Sequence, residues 1–170
     1  SILNEAVAFA HDRVRSEAAA KPEFEGMGTT LVIATIQDNK LYVANVGDSR
    51  LYLLRDSLEQ ITEDHSLVEE MVKSGELSKE NVKEHPNKNI ITRALGIGET
   101  VMADTFEVEL KEDDIILMCS DGLTNMVDDI DIEYIIKNNR TNMADAGEEL
   151  LARANDAGGK DNITVLLACL

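Results

Sequence analysis

Two apolar runs separated by a short polar turn place the tightest constraint on how this sequence can fold. The first run extends from about Thr29 to Ile36, and the second extends from Leu41 to Val46. Only residues 37–40, Gln-Asp-Asn-Lys, lie between them, and a connection this short joins antiparallel strands. We therefore expect a β-hairpin here. The first run is apolar at nearly every position, which predicts a strand buried on both faces.

Further strands follow the hairpin, and the helices are collected in blocks around them. We expect Leu51–Leu54 to resume the second strand after a break at residues 47–50, and residues 106–110 alternate as a half-exposed strand does. Ile115–Cys119 and Ile163–Leu170 are apolar runs typical of strands. Helical spacing predicts helices at about 1–20, 128–137 and 143–155, with His11 facing solvent. Together these patterns indicate an α+β layered domain rather than a parallel α/β sheet.

The composition excludes several classes of protein and of partner. The 170 residues suffice for one ordinary globular domain, and 44% hydrophobic with 29% charged residues excludes a disordered tail. The 33 acidic residues against 16 lysines and arginines give a net charge of −17. Such a surface repels nucleic-acid phosphate and anionic lipid, so we expect neither as a partner. It suits cations or basic peptide segments, although in most acidic proteins the charge only serves solubility.

The two cysteines and the lack of long apolar segments bear on the cellular compartment. Cys119 and Cys169 lie in apolar runs without a second cysteine or a histidine at ligand spacing, which predicts buried free thiols and no zinc site. Free thiols are typical of a reducing compartment. The first residues show no signal-peptide pattern, and no apolar run is long enough to cross a bilayer. We expect a cytoplasmic protein.

Three aspartates stand beside glycine or other turn residues at the ends of predicted strands: Asp48, Asp121 and Asp161. If the last two apolar runs are antiparallel neighbours, Asp121 and Asp161 lie at the same edge of a sheet. Asp48 joins them if the second strand of the hairpin runs parallel to Ile115–Cys119. Adjacent carboxylates repel one another unless a divalent cation lies between them, and oxygen ligands favour Mg²⁺, Mn²⁺ or Ca²⁺. The alternative is that each aspartate only caps a turn.

Several short segments, taken together in their order and spacing, identify a family. They are Gly26-Met27-Gly28-Thr29-Thr30, Gly47-Asp48-Ser49-Arg50, Asp64-His65-Ser66-Leu67-Val68 with His85-Pro86 through Asn89, Ile91-Thr92-Arg93-Ala94-Leu95-Gly96, Ser120-Asp121-Gly122-Leu123 and Lys160-Asp161-Asn162-Ile163-Thr164-Val165. They resemble signature segments of the metal-dependent protein phosphatase 2C family. The segments within residues 62–95 resemble the helical flap of its bacterial members. The resemblance extends over essentially the whole chain.

The resemblance implies a β-sandwich flanked by helices, with a two-metal centre of Mn²⁺ or Mg²⁺ at one end. In this family a metal-bridging water attacks the phosphorus of phosphoserine or phosphothreonine in protein substrates. By motif, Asp121 and Asp161 would ligate the core metals, and Asp48 would join Asp121 on a third, weaker metal. Gly122 and Asn162 would shape the loops. Arg50 is a candidate phosphate clamp, although a solvated arginine at a strand end is the simpler interpretation. His65 is a candidate metal ligand, although a lone histidine near a helix start is usually structural.

One departure from the family pattern is large. The opening segment of the family carries a phosphate-binding arginine, an Asn-Glu-Asp run and an Asp-Gly-Met-Gly-Gly stretch whose aspartate bridges the two core metals. None of these occurs in the 170 residues, and Gly26-Met27-Gly28 lacks the acid. We therefore expect an N-terminally incomplete sandwich that is inactive by itself and self-associates through exposed sheet edges.

Two functions remain open at this point. The first is a metal-dependent serine/threonine protein phosphatase domain, whose partners would be phosphorylated protein substrates and a serine/threonine kinase or its targets. The second is a non-catalytic regulatory or interaction module with the same fold. The absence of the bridging aspartate favours the second for this chain, whereas Asp48, Asp121 and Asp161 favour the first for its parent.

Overall fold

The computed structural model describes residues 2–170, and all elements below belong to this range. The α-helices are α1 (Ile2–Ala20), α2 (Leu67–Lys73), α3 (Asp121–Thr124), α4 (Asp129–Asn138) and α5 (Met143–Asp156). The strands are β1 (Leu31–Gln37), β2 (Lys40–Val46), β3 (Arg50–Leu54), β4 (Leu58–Gln60), β5 (Asp104–Glu109), β6 (Ile115–Cys119) and β7 (Val165–Cys169). Single 3₁₀ turns lie at Pro22–Phe24 and Lys79–Asn81.

The strands form two sheets, one of three strands in the order β1-β2-β5 and one of four in the order β4-β3-β6-β7. Antiparallel pairing joins β1 to β2, β3 to β4, β3 to β6, and β6 to β7. Antiparallel sheets combined with helices in separate blocks define an α+β fold, so the predicted class is confirmed.

The chain divides into two compact units. One comprises residues 1–48 and 63–108, and the other comprises residues 49–62 and 109–170. The first holds α1, α2 and the three-stranded sheet, and the second holds the four-stranded sheet with α3, α4 and α5. A single domain over residues 1–170 with a flap at about 62–95 stays a prediction.

The predicted hairpin is present, but the predicted burial of its first strand is wrong. Gln37 pairs with Lys40, and Asp38 and Asn39 between them have φ angles of 49° and 61°. Positive φ at both central residues gives the turn the hand that suits a two-residue hairpin. β1 lies at the edge of its sheet, and its residues from position 34 onward are exposed. The apolar run therefore reflects β-propensity rather than burial on two faces.

The chain changes sheets at residues 47–49, where the sequence predicted only a break in one strand. β2 belongs to the three-stranded sheet and β3 to the four-stranded sheet. The strand that pairs with β6 is β3, in antiparallel orientation, and not β2 as the hypothesis for Asp48 required. The short strand β4, which the sequence did not predict, pairs with the other edge of β3.

In the first unit α1 packs on the three-stranded sheet. Val7 of α1 joins Ala44 and Val46 of β2 and Leu95 in one buried cluster. His11, predicted to face solvent, is only 2% exposed, and its Nδ1 accepts a hydrogen bond of 3.1 Å from the Gly96 amide. The helix thus buries a wider face than its apolar spacing indicated.

In the second unit α4 and α5 cover the four-stranded sheet. Twelve buried residues form one cluster, among them Tyr52 of β3, Leu117 of β6, Ile136 of α4 and Leu150 of α5. The alternating burial of β5 and the near-complete burial of β6 agree with the sequence patterns. Helix α5 begins at Met143, as the sequence predicted, and Asn142 caps it: its side chain accepts hydrogen bonds from the amides of Ala144 and Asp145.

Two further expectations concern the thiols and the membrane. Neither cysteine forms a disulfide; Cys119 is buried as predicted, whereas Cys169 is exposed. Within residues 2–170 no helix combines the length and the apolar character that crossing a bilayer requires.

Candidate metal-binding site

The end of β6 and the start of β7 lie side by side, as the sequence predicted. Cys119 pairs with Val165 in antiparallel register, so the residues that follow β6 and those that precede β7 share one edge of the sheet. Asp121 is the first residue of α3, two positions beyond β6. Asp161 lies in the loop that leads into β7. Two of the three candidate aspartates are therefore placed on neighbouring loops of the second unit.

Backbone contacts hold these two loops together. The Ser120 amide donates to the Thr164 carbonyl at 3.1 Å, and the Thr164 amide donates to Ser120 Oγ at 3.0 Å. Ser120 Oγ in turn donates to the Asn162 carbonyl at 3.1 Å. A Cβ atom on Gly122 would lie 2.2 Å from the Asn162 carbonyl oxygen and 2.9 Å from its carbon. Only glycine fits between the loops at this position.

The two carboxylates differ in their surroundings. Asp121 is half-buried, and its Oδ2 accepts a hydrogen bond of 3.1 Å from Asn125 Nδ2. Asp161 is exposed, and its Oδ1 accepts a hydrogen bond of 2.7 Å from the Asn162 amide. Both residue types are oxygen ligands of the kind that Mg²⁺ and Mn²⁺ prefer. Across residues 2–170 no group of three or more histidine, cysteine, aspartate or glutamate side chains is arranged to hold a metal ion. Asp121 and Asp161 therefore fit part of a coordination shell, not a whole one.

Asp48 lies in the first unit, directly after β2 and Gly47. His65 binds both backbone groups of Gly47: its Nδ1 accepts from the Gly47 amide at 3.0 Å, and its own amide donates to the Gly47 carbonyl at 2.9 Å. Asn45 Nδ2 donates to the same carbonyl at 3.2 Å. The turn that carries Asp48 is thus fixed from the inside of the unit. The sequence flagged His65 only through its Asp-His motif and assigned it no contact.

Arg50, the candidate phosphate clamp, belongs to a network within the second unit. Its Nη1 donates to the Tyr52 hydroxyl at 2.8 Å, and that hydroxyl donates to Asp129 Oδ1 at 3.1 Å. Tyr52 is fully buried, and burial raises the pKa of its hydroxyl. The half-buried guanidinium thus has a structural partner in a buried tyrosine, and the role of Arg50 as a phosphate clamp stays a prediction. Nothing in the sequence linked β3 to Asp129, because 77 positions separate Tyr52 from it.

Comparison with known proteins shows which family has this sequence and fold. The sequence profile of the family described as protein phosphatase 2C matches residues 1–71. A solved bacterial serine phosphatase superposes with a TM-score of 0.92 and is 36% identical; the match covers 98% of this chain and 68% of that one. The chain belongs to the protein phosphatase 2C family. The sequence resemblance is thereby confirmed.

Two further relatives of this phosphatase 2C chain bear on its extent and its chemistry. The serine/threonine phosphatase Stp of Listeria innocua is 50% identical over 151 residues, which cover 88% of this chain and 60% of the relative. The chain thus spans about three fifths of the length of that phosphatase. The catalytic domain of the phosphatase PstP, solved in complex with two manganese ions, superposes with a TM-score of 0.87 at 34% identity; the match covers 97% of this chain and 68% of that solved domain.

Proposed function

We propose that this chain is the larger part of a Mn²⁺- or Mg²⁺-dependent protein phosphatase domain that acts on phosphoserine and phosphothreonine in protein substrates. The observation that carries the proposal is the contact between the loops of Asp121 and Asp161 at one sheet edge. The manganese-bound PstP domain and the Listeria phosphatase support the metal and the substrate class.

Asp121 and Asp161 would hold the metal, with Gly122 and Asn162 keeping their loops in contact. When bound, the metal would lower the pKa of a coordinated water and offset the charge of the phosphoryl oxygens. The chain's own contribution is placement. Asn125 orients the Asp121 carboxylate, and the Asn162 amide orients that of Asp161. Asp48 would bind a separate, weaker ion.

The 170 residues by themselves are proposed to be inactive. A two-metal site needs a bridging carboxylate that holds the ions about 3.5–4 Å apart, and Asp121 and Asp161 are the only pair the motifs supply for the core ions. The phosphorylated partner proteins, a cognate kinase and a cytoplasmic location stay predictions.

The test joins this chain to the part of the Listeria phosphatase that it does not match. We expect the chimaera to hydrolyse a phosphothreonine peptide only with Mn²⁺ or Mg²⁺, and the 170 residues alone to be silent. Asp121→Asn and Asp161→Asn should each lower turnover more than about 100-fold, because a neutral amide weakens a hard-cation site. Asp48→Asn should mainly change the metal dependence.

Asp156→Asn, at the exposed end of α5, is the matched control and should leave turnover unchanged. Near-wild-type turnover of either core variant at saturating Mn²⁺ would show that the metal assignment is wrong. Hydrolysis by the 170 residues alone would overturn the proposed inactivity.

A further inference from the structure

A buried histidine that the proposed chemistry does not use holds the turn before Asp48. His65 is 6% exposed and lies at the start of the predicted flap, 18 positions from Gly47. Its side chain accepts the Gly47 amide hydrogen, and its backbone amide binds the Gly47 carbonyl. The peptide groups on both sides of Gly47 are therefore fixed by one residue.

The backbone conformation at Gly47 is one that only glycine can readily adopt. Its φ angle is +108°, a region that residues with a side chain rarely adopt. A Cβ atom there would lie 2.4 Å from Thr30 Cγ2. The backbone passes close to β1 at this point, and the orientation of the next residue, Asp48, follows from that of the Gly47 peptide.

The far side of the imidazole faces a carboxylate. His65 Nε2 lies 3.1 Å from Asp104 Oδ2, although the ring N–H is not aligned with that oxygen as in a regular hydrogen bond. Asp104 is also paired with Arg93 Nη1 at 2.7 Å. Partial burial raises the pKa of Asp104, but the contacts from Arg93 and His65 outweigh that effect and hold it below its usual value. Because Nδ1 accepts from Gly47, the neutral ring carries its proton on Nε2, next to this carboxylate.

His11, the other buried histidine of this unit, offers a comparison. His11 also accepts an amide hydrogen bond, from Gly96 at 3.1 Å, but its buried Nε2 has no hydrogen-bond partner among the described residues. His65 Nε2 likewise makes no regular hydrogen bond, but unlike His11 Nε2 it lies 3.1 Å from a carboxylate, that of Asp104. A carboxylate beside one ring nitrogen favours the tautomer that carries its proton there.

We propose that His65, oriented by Asp104, is a positioning residue that sets the Gly47 peptide and thereby the ion-binding orientation of Asp48. This inference rests on the proposed function, because it takes Asp48 to be a metal ligand. The start of the predicted flap would thus influence metal binding through a residue that is not itself a ligand.

The experiment compares four single variants of the 170-residue chain, to which one double variant and one substitute are added. His65→Leu removes the acceptor for Gly47, whereas His65→Asn retains an oxygen close to the position of Nδ1. Asp48→Asn removes the ligand itself. His85→Leu is the matched control, because His85 is a second flap histidine whose Nδ1 accepts only the local amide of Asn87 at 3.2 Å.

Two readouts are measured: hydrogen exchange of the Gly47 amide by NMR, and Mn²⁺ affinity by electron paramagnetic resonance of free Mn²⁺. We expect His65→Leu to speed Gly47 exchange and to weaken the weaker class of Mn²⁺ sites roughly tenfold or more, as loss of a group that orients a ligand does. His65→Asn should retain slow Gly47 exchange and wild-type Mn²⁺ affinity, and His85→Leu should change neither quantity. Combining His65→Leu with Asp48→Asn should add no further loss.

Each remaining outcome overturns the inference. If Asp48→Asn weakens Mn²⁺ binding and His65→Leu does not, or if their effects add, the positioning role is wrong while the proposed function stands. If Asp48→Asn leaves Mn²⁺ binding unchanged, Asp48 is not a ligand and the inference is wrong, whereas the assignment of Asp121 and Asp161 to the core metal is tested separately by the chimaera. If His65→Leu does not fold, His65→Gln takes its place. Its amide oxygen lies one bond farther from the backbone than Nδ1 and is displaced from the Gly47 amide. Slow Gly47 exchange together with intact Mn²⁺ affinity in His65→Gln would contradict the inference.

Discussion

The buried carboxylate of Asp114 ties together the turn before β6 and the end of β3. Arg55 donates to it twice, from Nε at 2.8 Å and from Nη2 at 2.7 Å, and the Lys111 amide donates at 2.8 Å. The Asp114 side chain is fully buried, whereas that of Arg55 is 33% exposed. The hydrogen bonds from Arg55 outweigh the effect of burial and hold the pKa of Asp114 below its ordinary value. A two-pronged pair of this kind is geometrically specific and strong.

Asp114→Asn should lower the free energy of unfolding by about 1.5–3 kcal/mol at pH 7, the range for hydrogen bonds to charged groups. Because the pKa of Asp114 is lower in the folded than in the unfolded chain, its contribution is complete above about pH 5. It is lost as the pH falls through that lowered value, below roughly 4. Chemical denaturation at a series of pH values from 7 to 3 should show the free energies of unfolding of the wild type and of Asp114→Asn converging. Asp113→Asn, at an exposed position of the same turn, should change the free energy of unfolding by less than about 0.5 kcal/mol. A difference that stays constant down to pH 3 would contradict the assignment.

At this scale the sequence predicted residues whose partners are local or whose motif is distinctive. The Gly-Asp and Asp-Gly motifs drew attention to Asp48 and Asp121. The sequence did not predict the partners of Arg55 or His11, because these lie 59 and 85 positions away. Such contacts depend on which elements become neighbours, and residue type alone does not encode that.

At the scale of elements, the contact between α3 and the loop before β7 depends on a missing side chain. Gly122→Ala would place a carbon atom 2.2 Å from the Asn162 carbonyl oxygen, and both clashing partners are backbone atoms that cannot rotate away. Gly147 in α5 is the matched control, since a Cβ atom there meets nothing within 4 Å.

Gly122→Ala should lower the free energy of unfolding by about 1–3 kcal/mol and weaken Mn²⁺ binding, because the loops of Asp121 and Asp161 must separate. Gly147→Ala should instead raise the free energy of unfolding by about 0.5–1 kcal/mol, because alanine favours a helix interior. Thermal unfolding and a Mn²⁺ titration of both variants measure these effects. An equal response of the two glycines would mean that the loop contact has no special role.

Element boundaries followed from turn and cap chemistry, whereas burial did not. The Asp-Asn turn and the ends of α4 and α5 agree with the sequence to within a few residues. The misreading of β1 has a physical cause: an apolar run at a sheet edge and one at a sheet centre carry the same residues. The chain's transfer between sheets after Gly47 was likewise hidden, because a strand break and a sheet change use the same turn residues.

At the scale of the whole molecule, two features have opposite effects on self-association: exposed strand edges favour it, and a large negative net charge disfavours it. In the part of the chain that the structure describes, β1 and β7 are edge strands, with Ile36 48% and Leu166 52% exposed. Edge strands with exposed apolar residues favour pairing between chains. The net charge of −17 repels a second copy, and salt weakens that repulsion.

We therefore expect self-association that increases with ionic strength, since the screening length falls from about 8 Å at 0.15 M salt to about 3 Å at 1 M. Leu166→Lys should reduce it, because a charge on an edge strand opposes pairing. Ile130→Lys, which changes an equally apolar but 78% exposed residue of α4, should not. Light scattering over a dilution series at two salt concentrations measures the effect. A monomer at every salt concentration would show that the edge strands do not mediate self-association.

The way the chain divides between its two units has a consequence for its synthesis. Residues 49–62 leave the ribosome long before residues 109–170, with which they form one unit, whereas the other unit has all its residues by position 108. At about 5–20 residues per second, the wait lasts roughly 3–12 s. During that interval the apolar side chains of β3 have neither β6 nor the helices to pack against. The rate of translation, rather than any contact in the folded protein, thus sets how long the apolar residues of β3 stay exposed in the nascent chain.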